Sequence, residues 1–135
     1  MTFYEAISKC YRKYFNFKGR AGKKEFWSFV LLIILFAWPL LLTELKNGTW
    51  YHILNIFYFV LTVTAIIPLM AAFTRRMHDV GKSGWVWTFI FIPIIGFFLL
   101  LRWTTKVGKP EPNQYGEPDN IGVYEMLKKE LNQAQ

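Results

Sequence analysis

The chain has 135 residues, of which 53% are hydrophobic and 19% charged, and its formal net charge is +7. A water-soluble domain of this size needs a large polar surface because its surface-to-volume ratio is high. Here the apolar residues form long blocks, and the charges lie between the blocks and at the ends of the chain. This pattern excludes an ordinary soluble domain and favours an integral membrane protein. The single cysteine, Cys10, excludes an internal disulfide.

The first predicted element is an amphipathic helix over residues 2–15. Its apolar side chains recur at helical spacing, and they are Phe3, Tyr4, Ile7, Cys10, Tyr11, Tyr14 and Phe15. Thr2 and Glu5 have the spacing of a capping box. A basic amphipathic helix is typical of a membrane surface, and packing of its apolar face on the membrane spans is the equal alternative.

Three apolar blocks follow, and each is long enough to cross a bilayer as a helix. They are Phe26–Thr43, Ile53–Thr74 and Gly84–Leu101. No small-residue cleavage pattern follows the first block, so we expect it to remain as an uncleaved anchor. Pro93 and Gly96 interrupt the third block, which predicts a kink or, alternatively, a re-entrant hairpin.

These elements predict an all-α membrane protein, with three transmembrane helices plus an N-terminal amphipathic interfacial helix. The predicted segments are 1–25, a cytoplasmic amphipathic helix and basic motif; 26–103, the three-span membrane domain; and 104–135, a polar tail. The tail is rich in Gly and Pro, and a short helix is predicted at 123–131.

Lys and Arg near the spans predict the orientation. Seven lie before the first span and three follow the second, whereas the loop between those spans has only Lys46. The N-terminus and the second loop are therefore expected in the cytoplasm. Three crossings would place the tail outside, although Arg102, Lys106 and Lys109 lie close to the membrane there and oppose that placement.

Three polar motifs separate and follow the blocks: FKGRAGKKEFW from Phe17 to Trp27, RRMHDVGKSGW from Arg75 to Trp85, and PNQYGEPD from Pro112 to Asp119. In this order with the apolar blocks, they resemble domain-of-unknown-function family 805, a family of bacterial inner-membrane proteins, from about Phe15 to Asp119. The first motif departs from the family in offering Gly22 and Lys23 where the family usually has Arg. The resemblance implies a compact helical domain in the inner membrane and no known activity.

With the N-terminus in the cytoplasm, the first two motifs share one membrane face and form a candidate charge cluster. Its members are Arg20, Lys23, Lys24, Glu25, Arg75, Arg76, His78 and Asp79. On the structural interpretation, Glu25 or Asp79 pairs with an Arg of the opposite motif, because charges at a low-dielectric boundary should pair; Gly81 then makes a turn, and Ser83 caps the next helix. On the functional interpretation, the surplus positive charge binds anionic phospholipid.

No motif for catalysis is apparent. The chain has no nucleophile elbow, phosphate-binding glycine loop or zinc-protease helix, and His78 with Asp79 is too small a set for a metal site. We therefore predict no catalytic residue, cofactor or metal. Nucleic acid is not expected as a partner, because the aromatic residues lie mostly inside the apolar blocks.

The sequence thus favours a non-enzymatic binding, scaffold or accessory protein of the inner membrane, with a second copy or another membrane protein as a possible partner. The alternative is a subunit of an oligomeric transport or channel assembly. None of the three blocks contains Asp, Glu, Lys, Arg or His, although carriers commonly place such residues inside their spans.

Overall fold

The structure is a computed structural model, and it describes residues 2–43, 48–119, 129–130 and 132–133. Its α-helices are α1 (Phe3–Arg12), α2 (Lys23–Thr43), α3 (Thr49–Asp79) and α4 (Ile95–Thr105), and a 3-10 helix (Gly84–Phe91) precedes α4. The described residues contain no β-strand, only an isolated bridge between Asn113 and Gly116. The predicted all-helical fold is confirmed. The helix predicted at 123–131 lies, apart from 129–130, outside the described residues.

The chain divides into two compact units. The first combines Met1–Asn16 with Lys24–Ala72, and the second combines Phe17–Lys23 with Phe73–Gln135. The predicted segments 1–25, 26–103 and 104–135 concern the relation of the chain to a bilayer, and they stay a prediction.

Helix α1 begins at a capping box, as the sequence predicts. The Thr2 hydroxyl accepts a hydrogen bond from the Glu5 N–H, and the Thr2 N–H donates to the Glu5 carboxylate at 2.8 Å. Cys10 is fully buried, and the Tyr11 ring meets the Phe29 ring edge-on at a centroid distance of 5.6 Å. Part of the apolar face of α1 therefore packs on α2, while Tyr4 is 80% exposed.

Helix α3 is the one helix in the described part of the chain that is long and apolar enough to cross a membrane, and 17% of its most apolar stretch is buried. The core helix of a soluble protein would be mostly buried. The exposed side chains of its first two-thirds include Ile53, Ile56, Phe57, Phe59 and Ile66. An apolar surface of this extent requires a membrane or another protein to cover it.

The third apolar block is divided rather than continuous. The 3-10 helix has 8 residues and α4 has 11. Between them Ile94 adopts φ 66° and ψ −71°, and the Ile95 N–H donates to the Pro93 carbonyl at 2.7 Å. Proline lacks the N–H that would continue a helix, so the chain reverses here. Three transmembrane helices are therefore not confirmed.

Candidate functional site

The second motif begins inside the last turns of α3 and ends that helix with a glycine. Gly81 has φ +78°, and its N–H donates to the His78 carbonyl while the Lys82 N–H donates to the Met77 carbonyl. This pair of bonds is a Schellman motif, which favours glycine because its φ is positive. The Ser83 hydroxyl then accepts a hydrogen bond from the Trp85 N–H. The predicted turn at Gly81 and cap at Ser83 are both confirmed.

The first motif lies along this end of α3. The Ala21 N–H donates to the Arg75 carbonyl at 3.0 Å, and Gly19 turns the chain with φ +86°. That main-chain bond fixes the register of the segment before α2 against α3. It directs the intervening side chain, Arg20, into the second unit, where it is 4% exposed.

Arg20 and Asp79 form a buried ion pair between the two motifs. Arg20 Nε donates to Asp79 Oδ1 at 2.9 Å, and Arg20 Nη2 lies 2.8 Å from the same oxygen. The other Arg20 donors reach main-chain carbonyls, which are those of Asp79, Lys109, Glu111 and Gly116. The predicted pairing of Asp79 with an Arg of the first motif is therefore present.

Arg76 approaches the same carboxylate from within α3. Its Nη1 donates to Asp79 Oδ2, its Nε donates to the Thr104 carbonyl at 3.0 Å, and its Nη2 donates to the Lys106 carbonyl. Thr104 lies in the last turn of α4, where carbonyls lack helical partners and carry partial negative charge. Arg76 thus caps the C-terminus of α4 as well as pairing with Asp79.

The cluster of Arg20, Arg76 and Asp79 holds two guanidinium groups against one carboxylate. A buried charge is costly unless it is paired and hydrogen-bonded. Both Asp79 oxygens are occupied, and the excess positive charge faces main-chain carbonyls. This arrangement leaves the three side chains buried and committed to internal contacts, which is the chemistry of a structural cluster.

The third motif closes over His78. The Tyr115 ring stacks on the His78 ring at a centroid distance of 3.7 Å and an interplanar angle of 2°. Asn113 Nδ2 donates to the His78 carbonyl at 2.9 Å, and Asn113 Oδ1 accepts from the Tyr115 N–H. His78 Nδ1 lies 3.1 Å from the Gly19 carbonyl oxygen, an acceptor, so Nδ1 carries a proton. All three motifs meet at the end of α3.

The chain after α4 passes so close to Asp79 that a side chain would not fit. A Cβ added at Gly108 would lie 1.9 Å from Asp79 Oδ2. The next residue, Lys109, donates its N–H to the Asp79 carbonyl at 2.9 Å. Asp119 accepts a hydrogen bond from the Gly22 N–H at 3.1 Å, so the tail contacts the first motif as well.

The other predicted cluster residues are divided between the two units. In the second unit, Arg75 is fully buried and Lys23 is half-buried. In the first, Lys24 is exposed, and Glu25 is fully buried with Oε2 3.1 Å from Lys9 Nζ. Lys9 is a partner for Glu25 that was not evident from the sequence. Helical spacing places Lys9 on the side of α1 opposite the apolar face. Its position in the sequence therefore did not indicate an ion pair with α2.

The role of main-chain carbonyls in the tail was also not evident from the sequence. Lys109, Glu111 and Gly116 supply acceptors to Arg20. The third motif was recognised as part of the family pattern and as a turn-rich stretch, and its Asn, Gly and Pro residues are the signal for a tight loop. Within the described residues, no group of three or more His, Cys, Asp or Glu side chains is placed to hold a metal ion.

Comparison with known proteins agrees with these motifs. The family described as "Protein of unknown function (DUF805)" matches residues 14–117. Inner membrane protein YhaH of Escherichia coli (strain K12) is 35% identical over 117 residues, which are 82% of this chain and 92% of the relative. Inner membrane protein YhaI of the same strain is 32% identical over 123 residues, covering 90% and 98% of the two chains.

A shorter match is to the uncharacterized protein YiiR of Escherichia coli (strain K12), which is 35% identical over 78 residues, or 58% of this chain and 50% of the relative. No solved structure matches the chain. The family match extends over the three apolar blocks and all but the last residues of the third motif, so the resemblance inferred from the motifs is confirmed. The chain belongs to the DUF805 family.

Proposed function

We propose that this chain is a multi-pass protein of the bacterial inner membrane and serves there as a non-enzymatic binding or scaffold protein whose basic cytoplasmic face contacts anionic phospholipid. The proposal rests on the fact that the basic residues of the second unit fall into a buried group and an exposed group. Arg20 and Arg76 are buried and satisfied internally, whereas Arg102, Lys106 and Lys109 are exposed. The exposed group lies at the end of an apolar helix, α4, and with α2 and α3 as the two spans it is on the cytoplasmic side.

Membrane insertion is supported by the relatives and by the exposed apolar surface. YhaH and YhaI are named inner membrane proteins. Helix α3, with 31 residues, is both long and apolar enough to cross a hydrocarbon core of about 30 Å. Helix α2, with 21 residues at about 1.5 Å per residue, has the length to do so and contains the first apolar block. We place α2 and α3 as spans with the N-terminus in the cytoplasm, because Lys and Arg concentrate before α2 and after α3.

The exposed basic residues are suited to phospholipid headgroups. Lys82 Nζ lies 4.4 Å from the centre of the Trp103 ring, and tryptophan is enriched at the headgroup level of membranes. Arg102 and Lys106 are close to Trp103 in sequence. A basic residue next to an acidic leaflet contributes about 1 kcal/mol of binding, so three such residues would raise affinity for anionic lipid by about a hundredfold.

The test is the lipid retained by the purified full-length protein. We expect the triple variant Arg102→Gln, Lys106→Gln, Lys109→Gln to lose most of the phosphatidylglycerol that co-purifies with the parent chain, measured by native mass spectrometry. The three single variants are measured as well, and Lys129→Gln, which removes one exposed charge elsewhere, is their control. Unchanged phosphatidylglycerol in the triple variant would contradict the proposed lipid contact.

A second measurement addresses the scaffold role. Purified protein is reconstituted into phosphatidylethanolamine and phosphatidylglycerol vesicles, and the flux of K⁺, Cl⁻ and protons is followed. We expect no flux above that of empty vesicles, because the apolar blocks contain no Asp, Glu, Lys, Arg or His. Protein-dependent flux would reject the scaffold role in favour of a transport or channel assembly.

A further inference from the structure

The third apolar block starts and ends at the same place on α3. At its start, a Cβ built on Gly84 would lie 2.4 Å from Thr74 Cγ2. At its end, the Thr104 carbonyl accepts the hydrogen bond from Arg76 Nε. Thr74 and Arg76 lie within one turn of each other on α3. A helix that crossed the bilayer would separate its two ends by about 30 Å, so this block does not have the geometry of a span.

The 3-10 helix and α4 also contact each other along their length. Near the reversal, a Cβ built on Gly96 would lie 1.7 Å from the Phe89 carbonyl oxygen, so only glycine allows this approach. Further along, the Phe89 ring meets the Trp103 ring edge-on, with the ring centroids 5.6 Å apart. Lys82, which precedes the 3-10 helix, also contacts Trp103, with its Nζ 4.4 Å from the ring centre. Residues 84–105 are therefore a helical hairpin, with its base at Thr74 and Arg76.

The two arms match half the thickness of a bilayer. Eight residues of 3-10 helix rise about 16 Å at about 2.0 Å per residue, and eleven residues of α-helix rise about 16 Å at about 1.5 Å per residue. The hydrocarbon core is about 30 Å thick. A hairpin with its base at the membrane surface would therefore place its tip near the midplane.

The surface of the hairpin is apolar at the tip and basic at the base. At the tip, Phe91 is 75% exposed and Ile94 is 73% exposed. At the base lie Lys82, Arg102 and Lys106. This is the distribution expected of a segment whose tip is in hydrocarbon and whose base is at the headgroups.

The main chain at the tip supplies most of its own hydrogen bonds, as a segment in hydrocarbon requires. Pro93 has no N–H, and neighbouring N–H groups donate within the tip. The donor and acceptor pairs are Ile92 to Phe89, Ile95 to Pro93, Gly96 to Ile92, and Phe98 to Ile94. Four N–H groups of the reversal therefore have main-chain acceptors within it.

We infer that residues 84–105 form a re-entrant hairpin that enters and leaves the bilayer through one leaflet, with its tip surrounded by the acyl chains of that leaflet. The consequence is that the tail lies on the same side of the membrane as the second motif. Arg102, Lys106 and Lys109 then join the other cations on the cytoplasmic side, and the positive charge after the third block no longer opposes the orientation.

The depth of three single cysteines tests this inference in the full-length protein. Trp85→Cys and Thr105→Cys mark the two ends, and Phe91→Cys marks the tip; all three residues are exposed, so none of the substitutions removes a core side chain. Each variant is spin-labelled in phosphatidylethanolamine and phosphatidylglycerol vesicles, and its accessibility to oxygen and to a water-soluble nickel complex is compared. Cys10 is fully buried, and labelling of the unsubstituted chain gives its background.

We expect the Phe91→Cys label to be deepest, on the order of 15 Å below the phosphates, with both end labels at headgroup depth. A membrane-impermeant maleimide should label Trp85→Cys and Thr105→Cys from the same side. Labelling of the two ends from opposite sides would overturn the hairpin in favour of a span. A Phe91→Cys label accessible to the nickel complex would place the tip in water, and one shielded from both reagents would place it against protein; either result would overturn the lipid assignment.

Discussion

Arg20 Nη2 lies 2.8 Å from Asp79 Oδ1, and this pair of residues, 59 positions apart in the chain, joins the first two motifs. Arg20 also donates to carbonyls of the third motif and of the segment that precedes it. One side chain therefore links the segment before α2, the end of α3 and the tail after α4. From the sequence, the net positive charge suggested ligand binding, yet the donors of Arg20 are hydrogen-bonded to groups within the protein.

Asp79→Asn should destabilise the second unit strongly. The substitution keeps the shape of the side chain but removes the negative charge that faces Arg20 and Arg76, and breaking a buried pair costs about 3–5 kcal/mol. The free energy of unfolding in detergent, measured with denaturant, checks this expectation. Glu117→Gln is the control, because Glu117 is exposed and its replacement should change stability by less than about 0.5 kcal/mol. An Asp79→Asn protein as stable as the control would show that the charge is dispensable.

Arg20→Lys should also be destabilising, although it preserves the charge. The guanidinium donates from Nε, Nη1 and Nη2 to acceptors in different directions, and an ammonium group cannot reproduce that fork. We expect a loss of about 1–3 kcal/mol in the free energy of unfolding. Lys18→Arg is the matched control, because it substitutes one cationic side chain for the other at a nearby exposed position. Equal stability of Arg20→Lys and the parent chain would mean that only the charge matters.

These contacts also explain why exchanging the two charges is a poor test of the pair. An aspartate at position 20 would face the carbonyls of Lys109 and Glu111, and an arginine at position 79 would face Arg76. The swapped protein is therefore expected to remain unstable although the ion pair exists.

The sequence predicted the local features of this protein well. The capping box at Thr2 and Glu5, the glycine turn at Gly81 and the cap at Ser83 all follow from residue type and spacing over a few positions, and all are present. Local rules succeed here because the hydrogen-bond partners lie within the same turn of chain. The family motifs likewise identified the three segments that meet at the end of α3.

The long-range features were less accessible to sequence. The third block is as apolar as a span, and its composition does not distinguish a kinked span from a hairpin. The contact of Gly96 with Phe89, and the contacts of both ends of the block with α3, make that distinction. Apart from the Asp79 carboxylate, the acceptors for Arg20 are main-chain carbonyls, which every residue has. Sequence therefore identified Arg20 and Asp79 but gave no sign of what surrounds them.

Tyr115→Ala should loosen the third motif from the end of α3. The substitution removes the ring stacked on His78, an interaction worth about 0.5–1.5 kcal/mol beyond the area that it buries. Tyr115→Phe keeps the ring and is the matched control. Amide hydrogen exchange should quicken around Asn113 and Gly116 in the alanine variant but not in the phenylalanine variant. Similar exchange in both variants would show that the stacking does not hold the motif.

Gly108→Ala should destabilise the protein, whereas a substitution at the neighbouring Val107 should not. The added Cβ would lie 1.9 Å from Asp79 Oδ2, so the main chain or the carboxylate must move away from its two arginines. Overpacking costs about 1–3 kcal/mol, and the weakened ion pairs add to that. Val107→Ala is the matched control, because Val107 is 63% exposed. If the two variants unfold at the same denaturant concentration, the close passage of the tail over Asp79 is wrong.

The contact between the hairpin base and α3 can be isolated by a double-mutant cycle at Gly84 and Thr74. A Cβ on Gly84 would lie 2.4 Å from Thr74 Cγ2, so Gly84→Ala alone should cost about 1–3 kcal/mol of stability. Thr74→Ser removes that methyl group and leaves space for the new one. The combined variant should therefore be more stable than Gly84→Ala alone, with a coupling energy of at least about 0.5 kcal/mol.

Gly48→Ala provides the unrelated glycine for this cycle, since its Cβ would meet only the Tyr51 side chain and should show no coupling to Thr74→Ser. Strict additivity of Gly84→Ala and Thr74→Ser would mean that these two residues do not touch. The start of the third block would then be free to leave α3, and the hairpin would lose one of its two anchors. Coupling, by contrast, requires the third block to begin beside α3 at Thr74. The hydrogen bond from Arg76 to Thr104 shows that the block ends beside the same turn of α3.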